Sequence, residues 1–246
     1  GATGSAAAHG GIDDTFVAAN GDVMTDLDVG ALVSAHRAAS AEATIHLVAV
    51  DDPSSFGVVD SGDDHRIRRF VEKPERGTEP SNLINAGTYV FEPSVLDRIP
   101  GGRRVSVERD TFPAVSADEA LFGFPTDDYW IDAGVPDLYR AANLDLIGDL
   151  RRSESAEAVG EGAHVDREAT VINTIVGAGA TGGAGTTGVD AVILPGGVIG
   201  DRAQVESSLV MGHVGEDATV IEAIVGADGV VDDGDVLAHD TIPPVD

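Results

Sequence analysis

The chain has 246 residues, 15 Lys+Arg against 43 Asp+Glu and a formal net charge of −28, which excludes nucleic acid and anionic membrane surfaces as partners, because both need a basic face. Apolar residues make up 42%, enough to bury a sizeable core, and no apolar run approaches the ~18 residues of a membrane span. There is no Cys, so a disulfide scaffold is excluded, and no signal peptide is expected from the opening residues.

The first ~150 residues alternate strand and helix patterns, each closed by its own turn chemistry. Thr15–Ala19 reads as a strand ending in the turn Asn20-Gly21-Asp22. Val29–Ala39 carries Leu32, Val33, His36 and Ala39 at helical spacing. Strands are predicted at Thr44–Val50, Phe56–Val59, Arg69–Val71 and Gly87–Phe91, with a polar turn at Ser61–His65. Pro93 starts a short helix stopped by Pro100 and Gly101. Leu121–Phe124 and Tyr129–Ile131 are short strands, and Pro136 opens a helix that runs to about Ile147. This alternation predicts an α/β layered domain with a mainly parallel sheet over residues 1–150.

From about Ala156 the pattern changes. Apolar residues recur every six, as in Val159, Val165 and Val171, Val192 and Val198, Ile199 and Val205, Val214 and Val220, and Val230 and Val236. Branched aliphatics at that period, with small residues between, predict a β-solenoid over residues 156–240. Each step of six is one flat strand and a turn, three steps make a coil, and the aliphatic residue points inward. Ile172–Ile175 and Ala178–Val189 break the phase, and the second, rich in Gly, Ala and Thr, is expected to be a surface loop.

Four stretches can carry chemistry. Asn20-Gly21-Asp22 follows a buried strand, where a carboxylate can hold Mg²⁺ and a Gly lets phosphate approach, or where a plain turn suffices. Tyr129-Trp130-Ile131-Asp132-Ala133-Gly134 repeats that arrangement, or Asp132 simply approaches a helix N-terminus. Phe70-Val71-Glu72-Lys73-Pro74 holds the only lysine; the other fourteen basic residues are arginine. A lysine kept where arginine serves elsewhere points to a role that needs a compact ammonium. Asn85-Ala86-Gly87-Thr88 opens a strand with an amide and a Gly that suit hydroxyl recognition, or a turn-to-strand entry. His36 and His46 read as structural, and no His pair has metal-ligand spacing.

In order along the chain stand Gly1-Ala2-Thr3-Gly4, Asn20-Gly21-Asp22, Phe56-Gly57-Val58-Val59, Phe70-Val71-Glu72-Lys73-Pro74, Ile84-Asn85-Ala86-Gly87-Thr88-Tyr89-Val90-Phe91, Ser106-Val107-Glu108-Arg109-Asp110 and Tyr129-Trp130-Ile131-Asp132-Ala133-Gly134. This set resembles the sugar-phosphate nucleotidyltransferases, most closely the mannose-1-phosphate guanylyltransferases. The resemblance implies an α/β fold: a Rossmann-like nucleotidyltransferase domain followed by a left-handed parallel β-helix of hexapeptide repeats. It implies a nucleoside triphosphate and a sugar 1-phosphate as substrates, with release of pyrophosphate. It implies Mg²⁺ held by Asp22 and Asp132, Lys73 on the sugar phosphate and Glu72 on the sugar hydroxyls. Gly57, Asn85 and Gly87 would line the sugar pocket, and Gly1 and Gly4 would border the base.

The family opens with a strand and a Gly-rich loop bearing an Arg and a Lys. Neither precedes Gly1, so the domain is expected to be incomplete at its N-terminus and residues 1–246 alone to lack activity. Gly1-Ala2-Thr3-Gly4 also departs from the usual Gly-Thr-Ala-Gly, which leaves open the nucleotide, and with it the glucose-1-phosphate uridylyl-, thymidylyl- and adenylyltransferases. A silent regulatory subunit of the same fold, and an acyltransferase using His164 or His213 as base, are the competing readings. The near-total loss of lysine with many acidic residues points to a salt-rich cytoplasm, since molar salt screens self-repulsion; an ordinary acidic protein is the alternative. The flat solenoid faces suit a homo-oligomer.

Overall fold

The computed structural model of this chain describes residues 11–99, 105–148, 150–151 and 157–244. Backbone contacts divide the chain after Trp130 into two compact units. In the first, β1 (Phe16–Ala19) is followed by the short β2 (Val23–Thr25) and by β3 (Ala43–Ala49), β4 (Gly57–Ser61), β5 (Ile67–Glu72), β6 (Leu83–Phe91) and β7 (Leu121–Thr126). All but β2 join one sheet in the order β5-β4-β6-β3-β7, with β1 paired to β6. The expected parallel sheet is not what forms. Among the described residues of this sheet only β3 and β7 run parallel, while the β1–β6, β3–β6, β4–β5 and β4–β6 pairs are antiparallel. The reason lies in the connections. β4 and β5 are joined by a turn too short for a crossover, and that forces an antiparallel hairpin.

Helix α1 (Val29–Ala39) has the bounds its periodicity predicts. Asp28 caps it by accepting the Ala31 N–H at 2.9 Å, and Ser40 ends it in the left-handed region at φ 49°. Its buried Leu32 and His36 face the sheet. His36 contacts Thr44 Oγ1 at 2.9 Å and Glu92 at 3.1 Å, so it is structural as expected. A segment without a sequence prediction completes the unit. Val107–Thr111 forms a π turn that runs into helix α2 (Phe112–Ala117). Phe112 is fully buried, with its ring 5.2 Å from Phe70, 5.4 Å from Tyr89 and 6.2 Å from Phe91. That aromatic cluster, together with Ile45, Leu47, Val59 and Ile67, is the core of one sheet face.

The second unit contains helix α3 (Pro136–Ile147) and the solenoid. Three parallel faces of five short strands each stack in register. One column runs Thr170, Thr187, Gln204, Thr219, Val236, so successive coils advance by 17, 17, 15 and 17 residues rather than by three even steps of six. The shortening has two sources. One corner is a single left-handed residue, Asn173, Asp190, Ser207, Glu222 or His239, each with φ between 43° and 54°. In the shortest coil Leu209 and His213 start neighbouring strands, so the corner between them is only Met211-Gly212. A Cβ at Gly212 would collide with the Gly229 and Gly226 carbonyls, so only glycine fits that corner.

Ala178–Val189 is not a surface loop. It contains the regular strands Thr181–Gly182 and Thr187–Val189. Gly182 occupies the inward column between Val165 and Ile199, and Gly188 the one between Val171 and Val205. The Thr174 methyl fills part of the gap, 3.2 Å from where a Gly188 Cβ would stand. The aliphatic signal disappears there although the backbone pattern continues. The outward residues also follow the six-residue rhythm. Val198 and Val230 are exposed while their neighbours Ile199 and Val231 form the core. Of the three faces, α3 covers the one displaying Ile175, Val192, Leu209 and Ile224, through Leu144 and Ile147. Burying side chains of this size stabilises by roughly 1.5–3 kcal/mol each.

Candidate active site

Between Asn85 and Tyr89, β6 opposes only Leu47 to Ile45 of β3, so it bulges away from its partner. Gly87 lies in the bulge at φ 77°, a conformation open to glycine. A Cβ there would stand 2.8 Å from the Asn20 amide nitrogen. The missing side chain lets the Asn20-Gly21-Asp22 turn close in, and the Asn20 N–H donates to the Gly87 carbonyl at 2.8 Å. The neighbouring Ala86 carbonyl accepts Trp130 Nε1–H at 2.9 Å, and the Trp130 ring meets Phe56 edge-on at 5.6 Å. The Phe56 carbonyl in turn accepts the Lys73 N–H at 2.9 Å, with Lys73 itself left-handed at φ 48°. These links draw the Asp22 turn, the Lys73 turn and the β6 bulge to one end of the sheet.

On the face that carries Phe70 and Phe112, β4 and β5 pair Gly57 with Glu72. A Cβ on Gly57 would press on the Phe70 ring at 2.5 Å and on Glu72 Oε2 at 3.0 Å, so glycine leaves room for the carboxylate. Asn85 Nδ2 donates to Tyr89 Oη at 2.9 Å, and Asn85 Oδ1 accepts the Gly87 N–H at 3.0 Å. Burial pushes the Glu72 carboxyl above its ordinary range; Glu108 adds to this, while Lys73 and Arg109 oppose it. Burial also pushes the Tyr89 phenol up. The result is a stretch of sheet face that carries an amide, a phenol, a half-buried carboxylate and an absent side chain. That set suits hydroxyl groups, with an exposed lysine beside it for an anion.

Residues 3–148, more than half of the chain, match the Nucleotidyl transferase family. The chain belongs to that family. It is 40% identical over 208 residues to a mannose-1-phosphate guanylyltransferase of Mycobacterium tuberculosis, covering 81% of this chain and 56% of that one. It is 33% identical over 203 residues to mannose-1-phosphate guanylyltransferase 1 of Arabidopsis thaliana, covering 82% and 54%. The chain spans about half the length of the curated relatives it matches. Among solved structures it is similar to a Bacillus anthracis protein assigned as a glucose-1-phosphate thymidylyltransferase, at 23% identity, a TM-score of 0.53 and coverage of 63% of this chain and 61% of that one. That likeness concerns the fold.

Of the residues expected to form the nucleotidyl transferase site, Gly57, Glu72, Lys73, Asn85, Gly87 and Asp22 lie in the first unit on the connected elements just described. Asp132 lies at the end of β8 (Trp130–Asp132), just past the division, and accepts the Gly134 N–H at 3.0 Å. It is not the α3 cap, because Val135 occupies that position. Gly1 and Gly4 lie outside the described residues. Among the described residues, no three His, Cys, Asp or Glu side chains group as a metal cluster. An Asp carboxylate is the kind of oxygen donor that Mg²⁺ prefers, and that ion fills most of its shell with water and phosphate. Asp22 is exposed and, among the described residues, its carboxylate has no hydrogen-bond or ion-pair partner. His164 and His213 lie on the outer column His164–Thr181–Val198–His213, three strand spacings or ~14 Å apart, so they do not form a pair. Glu108 and Arg109 carry little signal in the sequence because their place depends on the π turn, which has no apolar period; Tyr89 lies in β6, where an aromatic residue reads as core.

Proposed function

We propose that this chain supplies the sugar-binding and metal-binding part of an enzyme that joins a nucleoside triphosphate to a sugar 1-phosphate, as a mannose-1-phosphate guanylyltransferase. The observation that carries the reading is the meeting of Gly57, Glu72 and Asn85 on one sheet face beside the Lys73 turn and the Gly87 bulge. Glu72 and the Asn85 amide bind sugar hydroxyls, and Gly57 and Gly87 let the ring approach the sheet. The Lys73 ammonium holds the sugar phosphate, whose oxygen attacks the α-phosphorus. A new P–O bond forms there as the bond to the β-phosphate breaks and pyrophosphate leaves. Asp22 and Asp132 would hold Mg²⁺, which when bound would offset charge on the phosphate oxygens. The residues otherwise act by positioning.

The test is Mg²⁺-dependent pyrophosphate release from mannose 1-phosphate and each of the four common nucleoside triphosphates. It is run with residues 1–246 and with the longest form the gene encodes. Asp22→Asn and Asp132→Asn should each cut turnover by at least ~100-fold with the fold intact, and Lys73→Arg should impair it although charge is kept. Release that prefers glucose 1-phosphate would move the assignment to the other sugar nucleotidyltransferases.

The same reading includes a salt-rich cytoplasm and self-association through the solenoid. The columns Thr170–Thr187–Gln204–Thr219–Val236 and Ile172–Val189–Glu206–Ile221–Ala238 carry one charged side chain on a chain of net charge −28. Two copies would meet least repulsion there. Sedimentation in molar KCl tests it, with Ile172→Glu and Ile221→Glu expected to favour the monomer.

A further inference from the structure

We infer that Glu108, tied down by Ser106, is a second carboxylate of the sugar pocket and sits with Glu72 to accept a pair of ligand hydroxyls. This rests on the sugar-binding reading above. The Phe112 ring seats on Phe70 and Tyr89. Glu72 follows Phe70 by two along β5, and Asn85 donates to Tyr89, so the turn just before Phe112 lies over the same part of the sheet face. That turn is the π turn Val107–Thr111, packed against β5, and π turns recur at functional sites. It is costly to form: among the described residues the buried Thr111 hydroxyl finds no partner.

The turn is fixed by one serine. Ser106 Oγ–H donates to Glu108 Oε2 at 2.7 Å, and Oγ accepts the Arg109 N–H at 3.2 Å. The Ser106 N–H donates to Asp110 Oδ2 at 2.9 Å. Glu108 is half-buried, and its charge is felt by both Glu72 and Tyr89, raising each. Bringing two carboxylates together is unfavourable unless something offsets it. Lys73 and Arg109 offset part of the repulsion at Glu72. A polyol supplies hydroxyl donors to both oxygen pairs, so the ligand the pair fits is a sugar with neighbouring hydroxyls.

The experiment measures KM for mannose 1-phosphate and for its single-deoxy analogues, across pH, in wild type, Glu108→Gln and Ser106→Ala. Glu108→Gln should raise the sugar KM by about tenfold, the usual weight of a hydrogen bond to a charged group, with the KM for the triphosphate and kcat near wild type. At least one deoxy analogue should show little further loss in the variant, because the hydroxyl that met Glu108 is already gone. In wild type, sugar affinity should fall as pH drops through the raised Glu72 titration, and in Glu108→Gln that fall should move to lower pH. The phosphate's own titration is common to both. Ser106→Ala should give a smaller change in the same direction, and it covers the case of a poorly folded Glu108→Gln. A wild type that turns over normally, with an unchanged sugar KM and pH profile in both variants, overturns the role of Glu108 and leaves the sugar reading standing. A wild type that neither binds nor uses any sugar 1-phosphate, in any length of chain, removes that reading and this inference together.

Discussion

The two units use glycine and alternation for opposite ends. In the sheet unit, Gly57 and Gly87 leave out side chains so that Glu72 and Asn20 can occupy the space, and polar groups gather where the strands are irregular. In the solenoid, Gly212 and Gly229 leave out side chains so that coils can stack, and polar groups are pushed to the corners. The sheet core depends on Phe112, brought in from a distant turn, whereas each coil touches only the next. The candidate site therefore falls where packing is non-local and irregular, and the repeat unit contributes regular, nearly uncharged faces.

The sole Trp, Trp130, packs on Phe56 in the first unit, so its fluorescence follows that unit while far-ultraviolet dichroism follows both. The largest expected effect is Phe112→Ala. It should destabilise the Trp-reported transition by about 3–5 kcal/mol and leave the solenoid transition in place. Joint loss of both transitions would end the contrast between the units.

A pH effect comes next. Burial depresses His46 to about 4, against the pull of Asp128, and among the described residues its Nδ1 has no partner while Nε2 contacts Thr126 at 2.8 Å. The folded state holds this ring neutral, and the unfolded chain binds a proton below pH ~6.5. Stability from this group is therefore full above about pH 6.5 and is lost as pH falls to about 4, a loss on the order of 3 kcal/mol. His46→Gln should flatten that slope in the Trp signal and leave the solenoid untouched.

Gly212→Ala should act the other way round, costing the solenoid about 1–3 kcal/mol as backbone carbonyls are forced apart, with the Trp transition unmoved. The smallest effect sharpens the inside-outside assignment. Val230 is 49% exposed and Val231 4%. Val230→Thr should change stability by less than about 0.5 kcal/mol and Val231→Thr by about 1–2 kcal/mol, read by urea unfolding. Equal effects would mean that the inward column has been misassigned.

The sequence by itself determined the elements whose causes are local. Asp28, the helical apolar spacing and Ser40 bound α1; Pro136 opens α3; and the six-residue rhythm marks the solenoid. The candidate site residues Asp22, Glu72, Lys73, Asn85 and Gly87 are legible in the sequence only as an ordered set of short motifs that resembles one family, because each stretch alone also suits a plain turn or strand entry. Only the tertiary structure decided the direction of the strands, which depends on which edges meet. It also decided that Gly182 and Gly188 continue a coil, because neighbouring coils supply the register that their missing side chains do not. Ser106–Thr111 has no apolar period, and its π turn forms only because Phe112 finds Phe70 and Tyr89 across the sheet. Local sequence carries torsional preference and hydrogen-bond capping; the packing of the Val107–Thr111 turn against β5 is set by contacts between residues distant in the chain.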